Sequence, residues 1–208
     1  MTAVTAFARD PGTAVYYDRR AEEYDEWYEG RGRYAGPDRW PGLMAEVDRV
    51  IELVGALPPA RTLDVACGTG FLTRHLRGFV VGLDRSRAML TLAMRRLPGQ
   101  VTLLADALRL PFADSAFDRV FTGHFYCHLP TDERRAFLAE VRRVGTELVV
   151  IDTPSRPGVQ AEEWQDRVLN DGSRHRIYKR YLTAEQLAGE IGGQVMFAGT
   201  WFVAVRAM

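Results

Sequence analysis

The sequence has only two cysteines, a single lysine, no net charge and no long apolar run. Cys67 and Cys127 form no Cys-x-x-Cys pair, so we expect two reduced thiols and no metal site. No apolar run is long enough to cross a bilayer, and no basic region followed by an apolar one opens the chain. We therefore expect a cytoplasmic protein without membrane contact. Zero net charge gives no electrostatic footprint for nucleic acid, so none is expected as a partner.

The residues that are present are typical of one soluble globular domain. The 208 residues, 47% of them hydrophobic, are enough to bury a core without disulfides. Strand and helix patterns alternate over residues 61–152, which predicts a parallel sheet with right-handed crossovers.

A glycine-rich turn follows the first predicted strand, in the stretch Arg-Thr-Leu-Asp-Val-Ala-Cys-Gly-Thr-Gly at residues 61–70. Gly68 and Gly70 carry no Cβ, which lets a ligand approach the backbone closely, and a helix is predicted from Phe71. Asp64 adds a negative charge that repels a pyrophosphate but suits an ammonium or sulfonium group. The turn therefore favours a cationic, nucleoside-like cofactor over NAD.

A second acidic residue, Asp84, ends the next predicted strand, twenty positions after Asp64. In a βαβ nucleotide-binding unit an acidic residue at this distance accepts hydrogen bonds from ribose hydroxyls. Further strands are predicted at residues 101–104 and 119–122. The order of these elements is that of a mononucleotide-binding unit.

Four stretches, LDVACGTG, VVGLDRS, ADALRLPFADSAFDRV and AFLAEVRRVGTELVVID, stand in order over roughly residues 61–152. This series resembles the class I S-adenosylmethionine-dependent methyltransferases, and within them the group that acts mainly on small molecules. The resemblance implies an α/β fold: a Rossmann-like, seven-stranded, mostly parallel sheet with helices on both faces and an antiparallel C-terminal hairpin. It also implies S-adenosyl-L-methionine as the cofactor.

By position, the resemblance places cofactor-binding residues at the ends of the first four strands. The glycine-rich turn would pack against the methionine part, Asp84 would bind the ribose, and Asp106 would lie at the adenine amino group. Plainer interpretations stay open: a structural turn, a helix cap at Asp106, and a core position for Met89. The full set is Asp64, Ala66, Gly68, Gly70, Asp84, Arg85, Met89, Asp106, Ala107 and Thr122.

The candidate catalytic residues follow the fourth strand: His124, Tyr126 and His128. They could orient an acceptor or deprotonate it, although a base is needed only if the acceptor must lose a proton. Positioning and desolvation supply much of the acceleration in methyl transfer. His128 matches a position common across the family whatever the substrate, which favours a structural role. The Asn/Asp-Pro-Pro-aromatic motif of nucleic-acid amino methyltransferases is missing, which argues against a nucleobase nitrogen as acceptor.

The flanking segments are expected to cover the substrate. Tyr17 and Tyr24 lie in a predicted helix at about 13–28, although an aromatic stripe at this spacing also suits a core. Residues 160–181 are rich in basic and aromatic side chains that could clamp an anionic group, or form a solvated loop. A polar helix is predicted at about 159–170, and the substrate candidates in this segment are Trp164, Arg174, Arg176 and Tyr178.

These predictions divide a single domain into four parts. Residues 1–57 form an N-terminal helical lid, with 1–12 disordered and a second helix at about 42–56, and residues 61–152 form the cofactor-binding core. Residues 155–181 are the substrate-covering insertion. Residues 183–208 form a helix that begins with a capping box at Thr183, followed by a hairpin.

The predicted function is methyl transfer to an oxygen, nitrogen or carbon of a small molecule, in secondary metabolism. Two alternatives stay open: a non-methylating reaction on the same fold, and a methyltransferase directed at a protein or a carrier-bound substrate. The sequence does not determine the oligomeric state.

Overall fold

The computed structural model describes residues 6–208 and contains a seven-stranded sheet with the strand order β3-β2-β1-β4-β5-β9-β8. The first five strands in this order are parallel, and β9 pairs antiparallel with both β5 and β8. This arrangement confirms the predicted fold class. The strands are β1 Ala60–Val65, β2 Gly78–Asp84, β3 Val101–Leu104, β4 Phe117–Gly123, β5 Gly145–Asp152, β8 Gly193–Ala198 and β9 Val203–Ala207.

Helices cover both faces of this sheet: α1 Pro11–Arg20, α2 Glu26–Glu29, α3 Leu43–Ala56, α4 Arg87–Arg96, α5 Thr131–Val144 and α6 Ala184–Ile191. Successive residues of β5 point to opposite faces, as a strand requires. Val150 packs in the cluster that includes Phe137 of α5 and Leu187 of α6. Val149 packs with Val47 of α3 on the other face. Because both faces are buried, the central strands are apolar along most of their length.

The predicted helix at Phe71 is wrong. Residues 66–77 connect β1 to β2 through the glycine-rich turn and one turn of 3-10 helix at Thr73–His75. The connection is too short for an α-helix because the two glycines, both at positive φ, take up its first half. The predicted helix at 13–28 is likewise divided into α1 and the four-residue α2.

The predicted helix at about 159–170 is also wrong. Strand β6 (Glu162–Val168) pairs antiparallel with β7 (Arg174–Arg180) in a separate two-stranded sheet. The solvent exposure of its side chains alternates residue by residue, as a strand requires. The sequence shows little of this alternation, because few of these side chains are apolar. Cross-strand pairs hold the sheet, among them Trp164 against Tyr178.

At the N-terminus, residues 6–12 are ordered, against the prediction of disorder. Phe7 and Ala8 are buried, and the backbone N–H groups of Phe7, Ala8 and Arg9 donate to the carboxylate of Glu133 on α5 at 2.9, 2.8 and 3.2 Å. The disorder predicted for residues 1–5 lies outside the described residues. The capping box of α6 is confirmed, with Thr183 and Gln186 exchanging side-chain to backbone hydrogen bonds.

Candidate cofactor and acceptor site

The site lies where the strand order reverses, at the carboxyl ends of β1 and β4. Ligands of open α/β sheets bind in the crevice outside such a point. The residues that follow these two strands, Ala66 and His124, have φ values of 59° and 56°, the left-handed region that side chains other than glycine rarely adopt. Strain of this kind persists where the surrounding structure imposes it, and it clusters at functional sites.

Asp84 is fixed at the end of β2 by backbone donors. Its Oδ2 accepts from the N–H of Gly68 at 2.9 Å, and its Oδ1 accepts from the N–H of Ser86 at 2.8 Å. Burial raises the pKa of this carboxyl, although the backbone hydrogen bonds oppose the shift. Gly68 has a φ of 56°, and a Cβ there would lie 3.7 Å from the Tyr24 ring. The glycine therefore keeps the space between Asp84 and Tyr24 open.

Asp64 is buried, and only one of its oxygens has a partner. Oδ2 accepts from the Thr73 hydroxyl at 2.6 Å, whereas Oδ1 has none among the described residues. Burial raises the pKa of Asp64 to about 8. The side chain faces a small cavity that Tyr24 and Phe71 also line. An unpartnered buried acceptor beside a cavity suits a cationic ligand group, because a buried polar atom without a partner is costly.

A first cavity of about 60 Å³ lies over the ends of β1 and β2. Six of the predicted cofactor residues line it: Ala66, Gly68, Asp84, Arg85, Met89 and Ala107. Eight further lining residues were missed: Phe7, Ala8, Thr13, Ala14, Leu83, Ala105, Gly123 and Phe125. Ala105 and Phe125 adjoin motif residues, so proximity in the sequence could have indicated them. No motif marks the four from the N-terminal segment, which reach the cleft only through the tertiary fold.

Four predicted cofactor residues lie outside this lining: Asp64, which lines the small cavity described above, and Gly70, Asp106 and Thr122. The Thr122 hydroxyl donates to the carbonyl of Val65 at 2.7 Å. Gly70 packs against α4 and its end, where a Cβ would lie 3.3 Å from Leu97. Asp106 Oδ1 accepts from the N–H of Leu108 at 2.9 Å, so this carboxylate stabilises its own turn. In the structure, Gly70 and Thr122 serve packing and hydrogen bonding within the protein.

A second cavity, of about 200 Å³, shares Tyr17, Tyr24 and His124 with the first. Aromatic and basic side chains dominate its walls. The remaining lining residues are Arg20, Trp27, Tyr28, Tyr34, Trp40, His128, Thr153, Arg156, Gln165, Arg167, Lys179 and Tyr181. The three shared residues therefore mark the junction between two ligand spaces.

The β6–β7 hairpin contributes to the second cavity through one face only. Gln165, Arg167 and Lys179 line the cavity, together with Tyr181 just beyond β7. Side chains alternate between the two faces of a strand, so the predicted substrate residues of this hairpin lie on the face away from the second cavity. The prediction that they line the substrate site is therefore corrected for Trp164, Arg174, Arg176 and Tyr178. The error follows from predicting a helix in this segment, because only the strand register shows which side chains face the cavity.

His124 is buried at the junction of the two cavities. Its Nδ1 lies 3.3 Å from the Thr153 hydroxyl and 3.9 Å from Asp152 Oδ1. Its Nε2 is buried without a partner among residues 6–208. Burial lowers the pKa of His124 to about 4, although the Asp152 charge opposes the shift. The imidazole is therefore neutral near pH 7.

The other two catalytic candidates differ in their surroundings. His128 lines the second cavity, stacks on Phe7 at 4.8 Å, and has its Nδ1 2.6 Å from the carbonyl oxygen of Tyr178. Burial lowers its pKa as well. The Tyr126 hydroxyl instead donates to Glu190 of α6 at 3.0 Å and lines neither cavity. The structure thus corrects the prediction for Tyr126, because its buried ring packs near Phe137 of α5 and does not line the cleft.

Lys179 and Asp152 form a buried ion pair at 2.6 Å beneath the second cavity. Asp152 Oδ2 also accepts from the N–H of Cys127 at 3.0 Å, and Oδ1 from that of Thr153 at 2.8 Å. Burial alone would raise the pKa of Asp152, but the Lys179 ammonium lowers it to about 2. The lysine charge is therefore neutralised within the protein.

Residues 6–208 contain neither a metal-binding cluster nor a membrane-spanning helix. No group of three or more His, Cys, Asp or Glu side chains in this range is arranged to hold a metal ion. None of the helices described there has the length and apolar character that a membrane crossing requires.

Known proteins share both the sequence pattern and the fold. Residues 63–147 match the family model described as a methyltransferase domain. The demethylmenaquinone methyltransferase of Renibacterium salmoninarum is 41% identical over 162 residues, covering 73% of this chain and 63% of that protein. Methyltransferase GfsG of Streptomyces halstedii is 30% identical over 172 residues, covering 73% and 60%. The chain thus spans less than two thirds of the length of these curated relatives.

Among solved structures, the complex of DhpI with SAH superposes with a TM-score of 0.75 and 24% identity, covering 97% of each chain. The DhpI–SAM–HEP complex superposes with a TM-score of 0.78 and 24% identity, covering 99% of this chain and 100% of that one. At this identity the likeness shows the fold. From the matched domain, the relatives and the shared fold, we conclude that the chain belongs to the class I S-adenosylmethionine-dependent methyltransferases.

Proposed function

We propose that the protein transfers a methyl group from S-adenosylmethionine, bound in the first cavity, to a small molecule bound in the second. The observation that carries this proposal is the junction of the two cavities at Tyr17, Tyr24 and His124. An acceptor in the second cavity would meet the cofactor there, in a space from which aromatic walls exclude water. The names of the relatives, which include demethylmenaquinone and phthiotriol/phenolphthiotriol dimycocerosates methyltransferases, agree with a small-molecule acceptor.

The residues of the first cavity fit the cofactor. Asp84, already fixed by two backbone donors, would accept hydrogen bonds from the ribose hydroxyls. The unpartnered Oδ1 of Asp64 would face the cationic methionine part. Met89 and Ala107 would border the adenine, and Asp106 stays a prediction for its amino group. When bound, the cofactor supplies a methyl group on a sulfonium.

We assign the protein's part in the transfer to positioning and to the exclusion of water. His124 is the group best placed to contact the acceptor, because its side chain lines both cavities and its Nε2 has no partner among residues 6–208. As a neutral imidazole it would orient the acceptor through a hydrogen bond. His128, with Nδ1 against the Tyr178 carbonyl, would support the wall of the cavity.

We further propose that residues 6–29 act as a lid over both ligands, within the N-terminal part predicted at 1–57. Phe7, Ala8, Thr13 and Ala14 line the first cavity, Arg20 lines the second, and Tyr17 and Tyr24 line both. The hairpin of β6 and β7 would close the second cavity from the other side, within the insertion predicted at 155–181. An acceptor enclosed in this way is a small molecule in preference to a protein side chain.

The test is transfer of label from methyl-labelled S-adenosylmethionine into an extract of the host cell, with small molecules, protein and RNA resolved afterwards. We expect label in one small molecule. Label in protein or RNA would contradict the substrate class. Binding of the cofactor without label in any fraction would contradict methyl transfer and favour another reaction on the same fold.

A variant of His124 tests its assignment in the same assay. We expect His124→Ala to lower kcat about tenfold, which corresponds to ~1.4 kcal/mol of transition-state stabilisation, with little change in affinity for S-adenosylhomocysteine. His75→Ala is the matched control, because that histidine lines neither cavity. Normal turnover in His124→Ala would leave His124 with a structural role only.

A further inference from the structure

Three arginines of the second cavity have no carboxylate partner. Arg20, Arg156 and Arg167 line the cavity, and none of the ion pairs within residues 6–208 includes them. No aspartate or glutamate lines this cavity, and residues 1–5 contain no acidic residue. The contrast with Lys179, which is paired with Asp152 in the same wall, is direct. The cavity therefore holds uncompensated positive charge.

Each guanidinium is oriented without being neutralised. Arg20 donates to the Tyr16 hydroxyl at 2.7 Å and lies 5.0 Å from the centre of the Tyr24 ring. Arg156 lies 4.6 Å from the centre of the Trp201 ring, and its Nε is buried without a hydrogen-bond partner among the described residues.

Arg167 follows the same pattern on the hairpin. It donates one N–H to Gln165, while its Nε is buried without a partner among residues 6–208. A half-buried guanidinium whose N–H groups lack acceptors costs free energy unless a ligand accepts hydrogen bonds from it. Arginine presents a planar fork of donors that matches carboxylate and phosphoryl oxygens. The ligand that completes this cluster is therefore an oxyanion.

The buried imidazoles of the second cavity, and its phenols Tyr17, Tyr24 and Tyr28, are poorly suited to take a proton from a neutral acceptor. Burial lowers the pKa of His124 and His128 and raises those of Tyr17, Tyr24 and Tyr28, so the imidazoles are weak bases and the phenols stay protonated. An acceptor that is already ionised needs no base, because its oxygen carries the reacting electron pair.

We propose that the acceptor is a small organic acid, whose carboxylate or phosphoryl group is held by Arg20, Arg156 and Arg167 and is methylated on one of its oxygens. This inference rests on the proposed function. The oxygen lone pair forms the O–CH₃ bond while the S–CH₃ bond breaks and its electron pair stays on sulfur. No proton moves, and a cation and an anion become a neutral thioether and an ester. An oxyanion has further oxygens, which the arginines hold while one attacks.

The binding test uses the full chain saturated with S-adenosylhomocysteine, titrated calorimetrically with benzoate, phenylphosphonate and the neutral isostere benzamide. We expect at least one of the anions to bind ten times more tightly than benzamide or better. Arg156→Gln and Arg167→Gln should each lose tenfold or more of this affinity and keep normal affinity for S-adenosylhomocysteine. Arg19→Gln, the exposed neighbour of Arg20 on α1, should change neither value.

The outcomes separate this inference from the function on which it rests. Failure to bind S-adenosylhomocysteine in the unchanged protein would overturn the proposed function. Normal cofactor binding with equal affinity for benzamide and both acids would overturn only the anionic acceptor, as would unchanged anion affinity in Arg167→Gln. With methyl-labelled cofactor, mass spectrometry of the product decides the source of the anion, since a carboxylic ester releases methanol in alkali and a phosphonate monoester resists it. Label on carbon or nitrogen would also overturn the inference.

Discussion

The two cavities that meet at His124 differ in the charged groups that line them. The first cavity contains Asp84 beside Arg85, and the small cavity next to it contains Asp64, whereas the second cavity contains three arginines that have no carboxylate partner within residues 6–208. The contrast matches the reaction inferred here, in which a cationic methyl donor and an anionic acceptor neutralise each other. Opposite charges attract more strongly where water is excluded, so a sulfonium and an oxyanion bound in adjoining cavities would attract each other.

The two sides also differ in how their charged groups are held. Asp84 is fixed by backbone N–H groups close in sequence, as a local turn allows. The arginines are held by side chains instead: Arg20 by Tyr16 of the same helix, and Arg156 by Trp201 from a distant part of the chain. The position of Asp84 therefore follows from one strand–turn–strand unit, whereas the three arginines come from separate parts of the chain and share a cavity only after the domain has assembled. The three predictions that follow test this comparison.

Asp84→Ala should have the largest effect, because it removes the carboxylate proposed to bind the ribose. Loss of a charge-assisted hydrogen bond costs ~1.5–3 kcal/mol, which lowers affinity for S-adenosylhomocysteine by about 10- to 150-fold. Calorimetric titration measures it. Asp118→Ala is the control, since Asp118 also accepts a backbone N–H, from Arg61, but near the opposite end of the strands. Unchanged affinity in Asp84→Ala would remove the ribose assignment.

The pH dependence of cofactor binding tests the assignment of Asp64 to the cofactor side. Its pKa of about 8 means that it keeps its proton at pH 7, and a bound cation favours the ionised form. Binding of S-adenosylhomocysteine at pH 7 should therefore release roughly one proton, and this contribution raises the affinity with pH up to about 8, by at most about tenfold per pH unit. Titrations in buffers of different ionisation enthalpy measure the release.

Asp64→Asn is the control for that measurement, because it keeps the titration of the ligand's own amino group and loses only that of Asp64. We expect the proton release to fall to the ligand's own value in this variant. Equal release from both proteins would show that Asp64 does not face the cationic part of the ligand.

Glu133→Gln should have the smallest effect on cofactor binding. It should affect both cavities, because the lid contributes residues to each of them. A glutamine has one acceptor oxygen in place of two, so the N–H groups of Phe7, Ala8 and Arg9 lose part of their anchor. We expect about threefold weaker binding of S-adenosylhomocysteine, a loss of ~0.7 kcal/mol, and faster tryptic cleavage after Arg9.

The matched control is Asp132→Asn, which changes an exposed carboxylate one residue away on the first turn of α5. It should leave both binding and cleavage unchanged. Equal cleavage rates in Glu133→Gln and the unchanged protein would show that Glu133 does not hold the lid closed.

Prediction from sequence succeeded where neighbours in the chain are neighbours in space. Strand β1, the glycine-rich turn and β2 follow one another as predicted, and six of the ten predicted cofactor residues, whose role stays a prediction, line one cavity. It failed where length or periodicity was ambiguous. The connection at 66–77 retains one turn of 3-10 helix, and the polar stretch at 162–168 alternates as a strand. The predicted Arg174 and Arg176 consequently lie on the face of the hairpin away from the cavity.

The sequence by itself determined the fold class and the family, because a strand, a glycine-rich turn and a second strand form a local pattern, and this pattern also places Asp64 and Asp84 on adjacent strands. Only the tertiary structure decided the acceptor side. Arg20, Arg156 and Arg167 come from α1, from the loop after β5 and from β6, and nothing in their spacing indicates that they meet. Their convergence depends on strand register and on lid docking, which are set by packing between distant parts of the chain.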